Sequence, residues 1–262
     1  MKILITGASS GLGYDLAKSL SLRGHSVYVT THTEKEVLSV KKKIHDEKLN
    51  MLCFKLDITS NNDIEMLKSL SIDVLVANAA IGNGGSIFEM DTDILKDTYE
   101  VNLFSTVKLV KIFYQSNKYT KNRLKIFIIS SLVGNIPIPY IGAYSSSKSA
   151  LSHLTHVMRK ELIYLNNNIS ISLVEPSAYK TGFNQVMIDN KINNTYKDSK
   201  IYKNVESINR LQRNLFTLIE SNKYNKINSK IIKQIEKENP KFLIRTSILH
   251  SILVKTYLFF SK

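Results

Sequence analysis

Four tyrosines in the chain stand four residues before a lysine: Tyr14/Lys18, Tyr114/Lys118, Tyr144/Lys148 and Tyr196/Lys200. Wherever such a pair falls on a helix, phenol and ammonium share one face. A free phenol titrates near about 10, too high for ready proton exchange at neutral pH. A neighbouring cation favours the phenolate and brings that value down, which makes the pair a candidate general acid–base. The chain is rich in Lys and Tyr, so the pattern alone selects none of the four. A second segment carries different chemistry. Thr6-Gly7-Ala8-Ser9-Ser10-Gly11-Leu12-Gly13 follows an apolar run and leads into a helical one. Glycines let the backbone approach a pyrophosphate closely, and a helix opening at Leu12 presents free N–H groups to it. Three of the chain's 10 glycines sit in this loop, which weighs against an idle turn.

These groups need a scaffold. Runs of Val, Ile and Leu at residues 3–5, 27–30, 52–56, 74–77, 126–129, 169–174 and 242–245 read as strands covered on both faces, because strict polar alternation is missing. Helical patterns at 12–22, 34–47, 64–69, 93–115 and 143–165 lie between them, with a break expected inside the fourth. Repeated strand–helix alternation implies parallel pairing through right-handed crossovers. The prediction is a single α/β domain over residues 1–262, a Rossmann-type doubly wound parallel sheet of about seven strands in three αβα layers. Beyond residue 174 the rhythm changes to a polar segment, then helical patterns at 205–221 and 227–237, the second stopped by Pro240. A segment inserted before the last strand lies near the strand ends, so a lid is expected at about 177–225.

Composition excludes several classes. With 262 residues, 43% hydrophobic and 22% charged, the chain matches an ordinary globular protein and is long enough to bury a sizeable core. Its one cysteine, Cys53, rules out an intramolecular disulfide and a multi-cysteine zinc site, and fits a reducing compartment. No apolar run reaches the roughly 18 residues of a membrane span, and the apolar stretch after Met1-Lys2 is too short for a signal peptide. A cytoplasmic protein is expected. No metal site is expected either: His153 and His156 are one turn apart without an acidic partner in a recognisable spacing, and read as a helix surface or subunit contact.

The spacing of the glycine loop, preceded by Thr6, resembles that of the short-chain dehydrogenase/reductases, and later elements extend the resemblance. Asp57 at the end of the third strand, followed by Ile58, matches a residue that binds adenine in that family. Asn78-Ala79-Ala80 matches the element beside the adenine ribose, and Asn102 the helix asparagine that organises a proton relay. Ser131, Tyr144 and Lys148 match the catalytic serine, tyrosine and lysine, and Pro176 to Thr181 the segment framing the nicotinamide. The resemblance runs from Lys2 to about Phe183, with a looser echo from Pro240 to Arg245. It also selects among the four pairs. Only Tyr144 has a serine thirteen residues upstream, where the others have Met1, Val101 and Phe183. The resemblance implies hydride transfer between a nicotinamide and a carbonyl or secondary alcohol. Tyr144 would be the proton donor, Ser131 would hold the substrate oxygen, Lys148 would bind the nicotinamide ribose and Asn102 would complete a water relay.

Gly7, Ser9, Ser10, Gly11, Leu12, Gly13, His32, Asp57, Ile58, Asn78, Ala79, Ala80, Tyr144, Lys148, Pro176 and Thr181 are the expected cofactor contacts. The second strand ends in Thr30-Thr31-His32-Thr33, with no acid before Glu34. A carboxylate there would bind the ribose hydroxyls of NAD and repel a 2′-phosphate, so NADP(H) is favoured over NAD(H). Against this, Ser10 stands where some NADP-dependent relatives carry a basic residue. Ala80 and Ser177 replace glycines usual in the family.

The charge points to partners less directly. Of 36 basic and 22 acidic residues, 16 and 6 fall in 180–262, so the +14 excess is concentrated there. It reads as a solvated surface, with an anionic ligand, an acidic carrier protein or an anionic membrane as alternatives; nucleic acid is not expected. Ile248, Leu249, Ile252, Leu253, Tyr257 and Phe260 recur at helical spacing, predicting an amphipathic helix at about 247–260. It docks on its own or a partner subunit, or makes a peripheral membrane contact. The expectation is an NADPH-dependent reductase of a small-molecule carbonyl/alcohol substrate, apolar or acyl-bearing and lipid-like in the membrane reading, assembled as a homodimer or homotetramer. The rival is a catalytically inactive dinucleotide-sensing protein of the same fold.

Overall fold

Apolar residues occupy successive strand positions, so each strand needs cover on both faces. The structure, a computed structural model, describes residues 1–165, 168–177, 179, 183, 187, 190 and 225–246. In chain order it has β1 (Lys2–Ile5), α1 (Gly11–Leu22), β2 (Ser26–Thr31), α2 (Glu34–Asp46), β3 (Met51–Lys55), α3 (Asn61–Glu65) and β4 (Val74–Ala77). Then come α4 (Thr92–Tyr99), α5 (Thr106–Asn117), β5 (Leu124–Ile129), α6 (Gly142–Leu165), β6 (Ile169–Glu175), α7 (Asn225–Ile235) and β7 (Leu243–Arg245). All seven strands are parallel, in the order β3-β2-β1-β4-β5-β6-β7. The chain therefore starts in the middle of the sheet, winds to one edge and then to the other. The loops after β1 and β4 diverge at that reversal, where such sheets bind ligands.

The pleat divides the core in two. Ile3, Ile5, Val74, Val76, Phe127 and Ile129 face α1, α2 and α7, and pack with Leu16, Leu20, Val37 and Ile231. Leu4, Leu75, Ala77, Ile126 and Ile128 face the other way and pack with Leu109, Phe113 and Leu151 of α5 and α6. This is the expected three-layer arrangement in one domain.

The expected break in residues 93–115 is a π-helical segment, Glu100–Ser105, between α4 and α5. The pattern at 64–69 divides into α3 and a 3₁₀ turn, Met66–Ser69. His156 packs edge-on against Phe242 of its own chain, with centroids 4.7 Å apart. Among the described residues no helix is long and apolar enough to cross a membrane. The expected helix at 205–221, nearly all of the lid and the amphipathic helix at 247–260 lie outside the described residues.

Candidate active site

After β1 the chain must turn from strand to helix beside the loop that follows β4. Gly7 takes a φ of +61°, and a Cβ there would stand 2.5 Å from Ala79 Cα, so both its conformation and its contact demand glycine. Two side chains lock the loops together. Thr6 Oγ1 accepts from the N–H groups of Asn78 (3.1 Å) and Ala79 (3.2 Å). Asn78 Nδ2 donates to the carbonyls of Thr6 and Gly7, each at 3.0 Å. Helix α1 begins over this junction. Its N-cap, Ser10, makes no side-chain cap bond and its first turn holds no acid, whereas Thr33, Ser60 and Asp91 cap α2, α3 and α4. The first-turn N–H groups of α1 thus lack a side-chain acceptor, which fits the pyrophosphate of a dinucleotide.

β5 delivers Ile129, Ser130 and Ser131. Ser131 caps a 3₁₀ turn, Leu132–Asn135, its Oγ accepting from Val133 N at 3.3 Å. That turn lies directly on α6: a Cβ at Gly134 would be 2.9 Å from Ser149 N and 3.0 Å from the carbonyl carbon of Lys148. Helix α6 places Tyr144 and Lys148 one turn apart, both buried. Tyr144 is hydrogen-bonded to Ser131. Lys148 Nζ donates to the Ile129 carbonyl at 3.0 Å and sits 5.9 Å from the centroid of the Tyr144 ring.

The electrostatics differ from the sequence expectation. Burial pushes the Tyr144 phenol up to about 12, with the Ser131 hydrogen bond working against it, and pulls the Lys148 ammonium down to about 8. The phenol is raised, not lowered, by the chain's own groups. The reason is geometric: Lys148 is engaged by a backbone carbonyl and lies over the ring, so loss of water dominates at the hydroxyl.

A single cleft of about 700 Å³ collects nearly all the predicted residues. Gly7, Ser9, Ser10, Gly11, Leu12 and Gly13 line it, as do His32, Asp57, Ile58, Asn78, Ala79 and Ala80. So do Ser131, Tyr144, Lys148 and Pro176. Thr181 lies outside the described residues. Asn102 does not line the cleft. It is fully buried in the π-helical segment, its Oδ1 accepting from Ile81 N (2.9 Å), its Nδ2 donating to Ile81 O (3.0 Å) and Ser147 Oγ (3.1 Å). Its side chain fixes the backbone of a lining residue, Ile81. Asp57 braces its own loop: Oδ1 accepts from Thr59 N (2.9 Å) and Oγ1 (2.7 Å), while Oδ2 lies 3.6 Å from His32 Nδ1.

Further residues line or border the cleft. Glu36 reaches the cleft beside His32, its carboxylate accepting from Thr33 N (3.0 Å) and Thr33 Oγ1 (3.2 Å) in a capping box. The Thr-x-x-Glu spacing was a usable signal for that cap. Lys43, two turns further along α2, donates to Ser9 O at 3.3 Å and brings a cation to the glycine loop. On the Tyr144 side, Val133, Ile141, Phe183 and Met187 form an apolar wall; the Phe183 ring lies 5.3 Å from that of Tyr144. Asn190 ties this wall to the loop after β4, its Nδ2 donating to Gly82 O and Asn83 Oδ1, each at 3.1 Å.

Comparison with known proteins gives three kinds of match. The family described as short chain dehydrogenase matches residues 1–191. A 3-ketodihydrosphingosine reductase of Bacteroides thetaiotaomicron is 29% identical over 260 residues, 96% of this chain and 89% of that protein. A very-long-chain 3-oxoacyl-CoA reductase of Neurospora crassa is 27% identical over 195 residues, 70% of this chain and 57% of that one. In fold, the chain is similar to the crystal structure of a short chain dehydrogenase/reductase from Burkholderia phymatum in complex with NAD. The TM-score is 0.82 at 18% identity, covering 100% of this chain and 95% of that one.

Proposed function

The chain belongs to the short-chain dehydrogenase/reductase family, an oxidoreductase family acting between C–OH and C=O, and on that premise we propose that it is an NADPH-dependent reductase of an apolar, acyl-bearing ketone. The observation that carries this reading is the convergence of Ser131, Tyr144 and Lys148 with the uncapped α1 terminus in one cleft. When bound, the dinucleotide supplies the hydride. The remaining work falls to the chain. Tyr144, held protonated at neutral pH by its burial, donates to the substrate oxygen as negative charge grows there. Ser131 holds the same oxygen by a hydrogen bond. Lys148, charged below about 8, provides a positive field that eases release of the phenolic proton, and would hold the nicotinamide ribose when the dinucleotide is bound. Asn102 keeps Ile81 in place as part of the wall.

Three features support the finer parts of the reading. The second strand ends without a carboxylate, His32 faces the cleft and Lys43 sits on Ser9, all favourable to a 2′-phosphate. Glu36 is the opposing charge, but its carboxylate is engaged by Thr33. The apolar wall of Val133, Ile141, Phe183 and Met187 suits a hydrocarbon chain, as do the names of the two relatives. Exposed Phe104, Leu154 and Val157 on the π-helical segment and α6 suit a homodimer or homotetramer contact.

Fluorescence titration with NADPH and NADH, followed by a panel of long-chain 3-ketones including 3-ketodihydrosphingosine, tests the reading. Tighter NADPH binding with turnover of long-chain ketones is expected. Tight dinucleotide binding without turnover of any ketone or alcohol would leave the sensor reading instead.

A further inference from the structure

Beneath the catalytic residues lies a buried carboxylate that the mechanism does not use. Glu175 is the last residue of β6, 1% exposed, and three donors from three elements converge on it. Asn135 Nδ2 donates to Oε1 at 3.2 Å from the end of the turn that Ser131 caps. Ser152 Oγ reaches Oε1 at 3.5 Å from α6, one turn beyond Lys148. Arg245 Nε donates to Oε2 at 2.5 Å from β7, where it stands in register with Glu175. The contacts continue upward. Ser152 Oγ lies 2.8 Å from Ser130 Oγ, and Ser130 Oγ is 2.9 Å from the carbonyl of Lys148. Each hydroxyl has one proton, and a carboxylate only accepts. The charge on Glu175 therefore biases which way the Ser152–Ser130 pair points, beside both Ser131 and Lys148.

We propose that Glu175, charged and held by Arg245, is a positioning residue that sets the placement of Ser131 and Lys148. Two arguments separate this role from plain stability. Glu175 is buried but the Arg245 side chain is 36% exposed, so solvent screening on one side and desolvation of the carboxylate on the other offset the attraction and leave the pair little net worth to stability. Moreover, every partner of Glu175 other than Arg245 belongs to a segment next to a cleft residue. The guanidinium comes from outside the family match at residues 1–191, so this device is built partly from the chain's own C-terminal region. The same strand end supports the next stretch: Thr246 Oγ1 lies 3.0 Å from Tyr179 OH and accepts from Ser177 N at 3.3 Å. Lys230 Nζ in turn donates to the carbonyls of Arg245 (2.8 Å) and Thr246 (2.6 Å).

The inference rests on the reductase reading above, and its test has an arm independent of that reading. Glu175→Met/Arg245→Met replaces the pair with apolar bulk; Ser152→Ala removes one hydroxyl from the same network. In the double variant the melting temperature is expected to stay close to wild type, while kcat falls about ten- to a hundredfold, the cost of a small misplacement. NADPH affinity should change less than about twofold. Ser152→Ala should lower kcat in the same direction without raising KM. Arg245→Lys, which keeps the charge, should recover part of the kcat lost in Arg245→Met. Wild-type kcat in the double variant, or in Ser152→Ala if the double fails to fold, overturns the proposal. If wild type reduces no ketone, it is the reductase reading that fails. The crystal structure of Ser152→Ala then decides: Ser131 and Lys148 unmoved, with the 3.0 Å Lys148–Ile129 bond intact, overturns positioning.

Discussion

The ammonium of Lys148 donates to the carbonyl oxygen of Ile129 at 3.0 Å and lies over the Tyr144 ring, 5.9 Å from its centroid. An amine that reads in sequence as the phenol's activator is thus first a bond between α6 and the end of β5. That bond fixes helix to strand at the level where Ser131 emerges.

Burial of this amine gives a signature in stability. Lys148 titrates at about 8 in the folded chain against an ordinary 10.5, so between those values the unfolded state binds more protons and stability rises with pH. Below pH 8 the full penalty is present, roughly 3 kcal/mol at about 1.4 kcal/mol per pH unit. Lys148→Met should therefore compare best with wild type near neutrality and lose that advantage steadily toward pH 10. Denaturant titrations at several pH values check this; a constant difference would remove the buried ammonium from the account.

Tyr144→Phe should cut turnover by about 10²- to 10⁴-fold, the range of a lost general acid. Cofactor binding, measured by fluorescence, should stay within about threefold, since the glycine loop is untouched. The same variant should lose one high-pH effect. The folded phenol keeps its proton to about 12 and an unfolded one releases it near 10, so wild-type stability falls across that window.

Cofactor preference can be turned at His32. A carboxylate there would meet the neighbouring Asp57, 3.6 Å from the His32 ring, and repel a 2′-phosphate. His32→Asp should weaken NADPH binding by about tenfold or more while leaving NADH within a fewfold, on the arithmetic of one charge contact. Equal weakening of both would show that His32 does not discriminate.

Gly134→Ala tests the seam between the Ser131 turn and α6. The added methyl would fall 2.9 Å from Ser149 N, against backbone that cannot swing aside. A loss of about 1–3 kcal/mol is expected from overpacking, with a fall in kcat because the displaced groups flank Ser131 and Lys148. Chemical denaturation and steady-state kinetics on one preparation read both.

Much of this was legible in sequence because the signals are local. A glycine loop between an apolar run and a helical one needs no tertiary knowledge, and neither does a phenol four residues before an amine. The break in residues 93–115 was visible as a pattern, though not as the π-helical segment that turns Asn102 inward to Ile81. What stayed hidden depends on register and long-range approach. Glu175 and Arg245 are 70 residues apart and meet only because β7 pairs with β6 in one register. Glu36 reaches the cleft through the turn that Thr33 caps. The raised phenol follows from burial on every side, which no spacing reports.

The position of Arg245 has a bearing on how the protein is made. A chain emerging from the ribosome N-terminus first can align six of its strands before residue 245 is synthesised. Until then the Glu175 carboxylate would lack the Arg245 guanidinium that pairs with it in the folded chain. On the positioning role proposed for Glu175, a chain that stops short of residue 245 lacks this support even though Ser131, Tyr144 and Lys148 have all been translated.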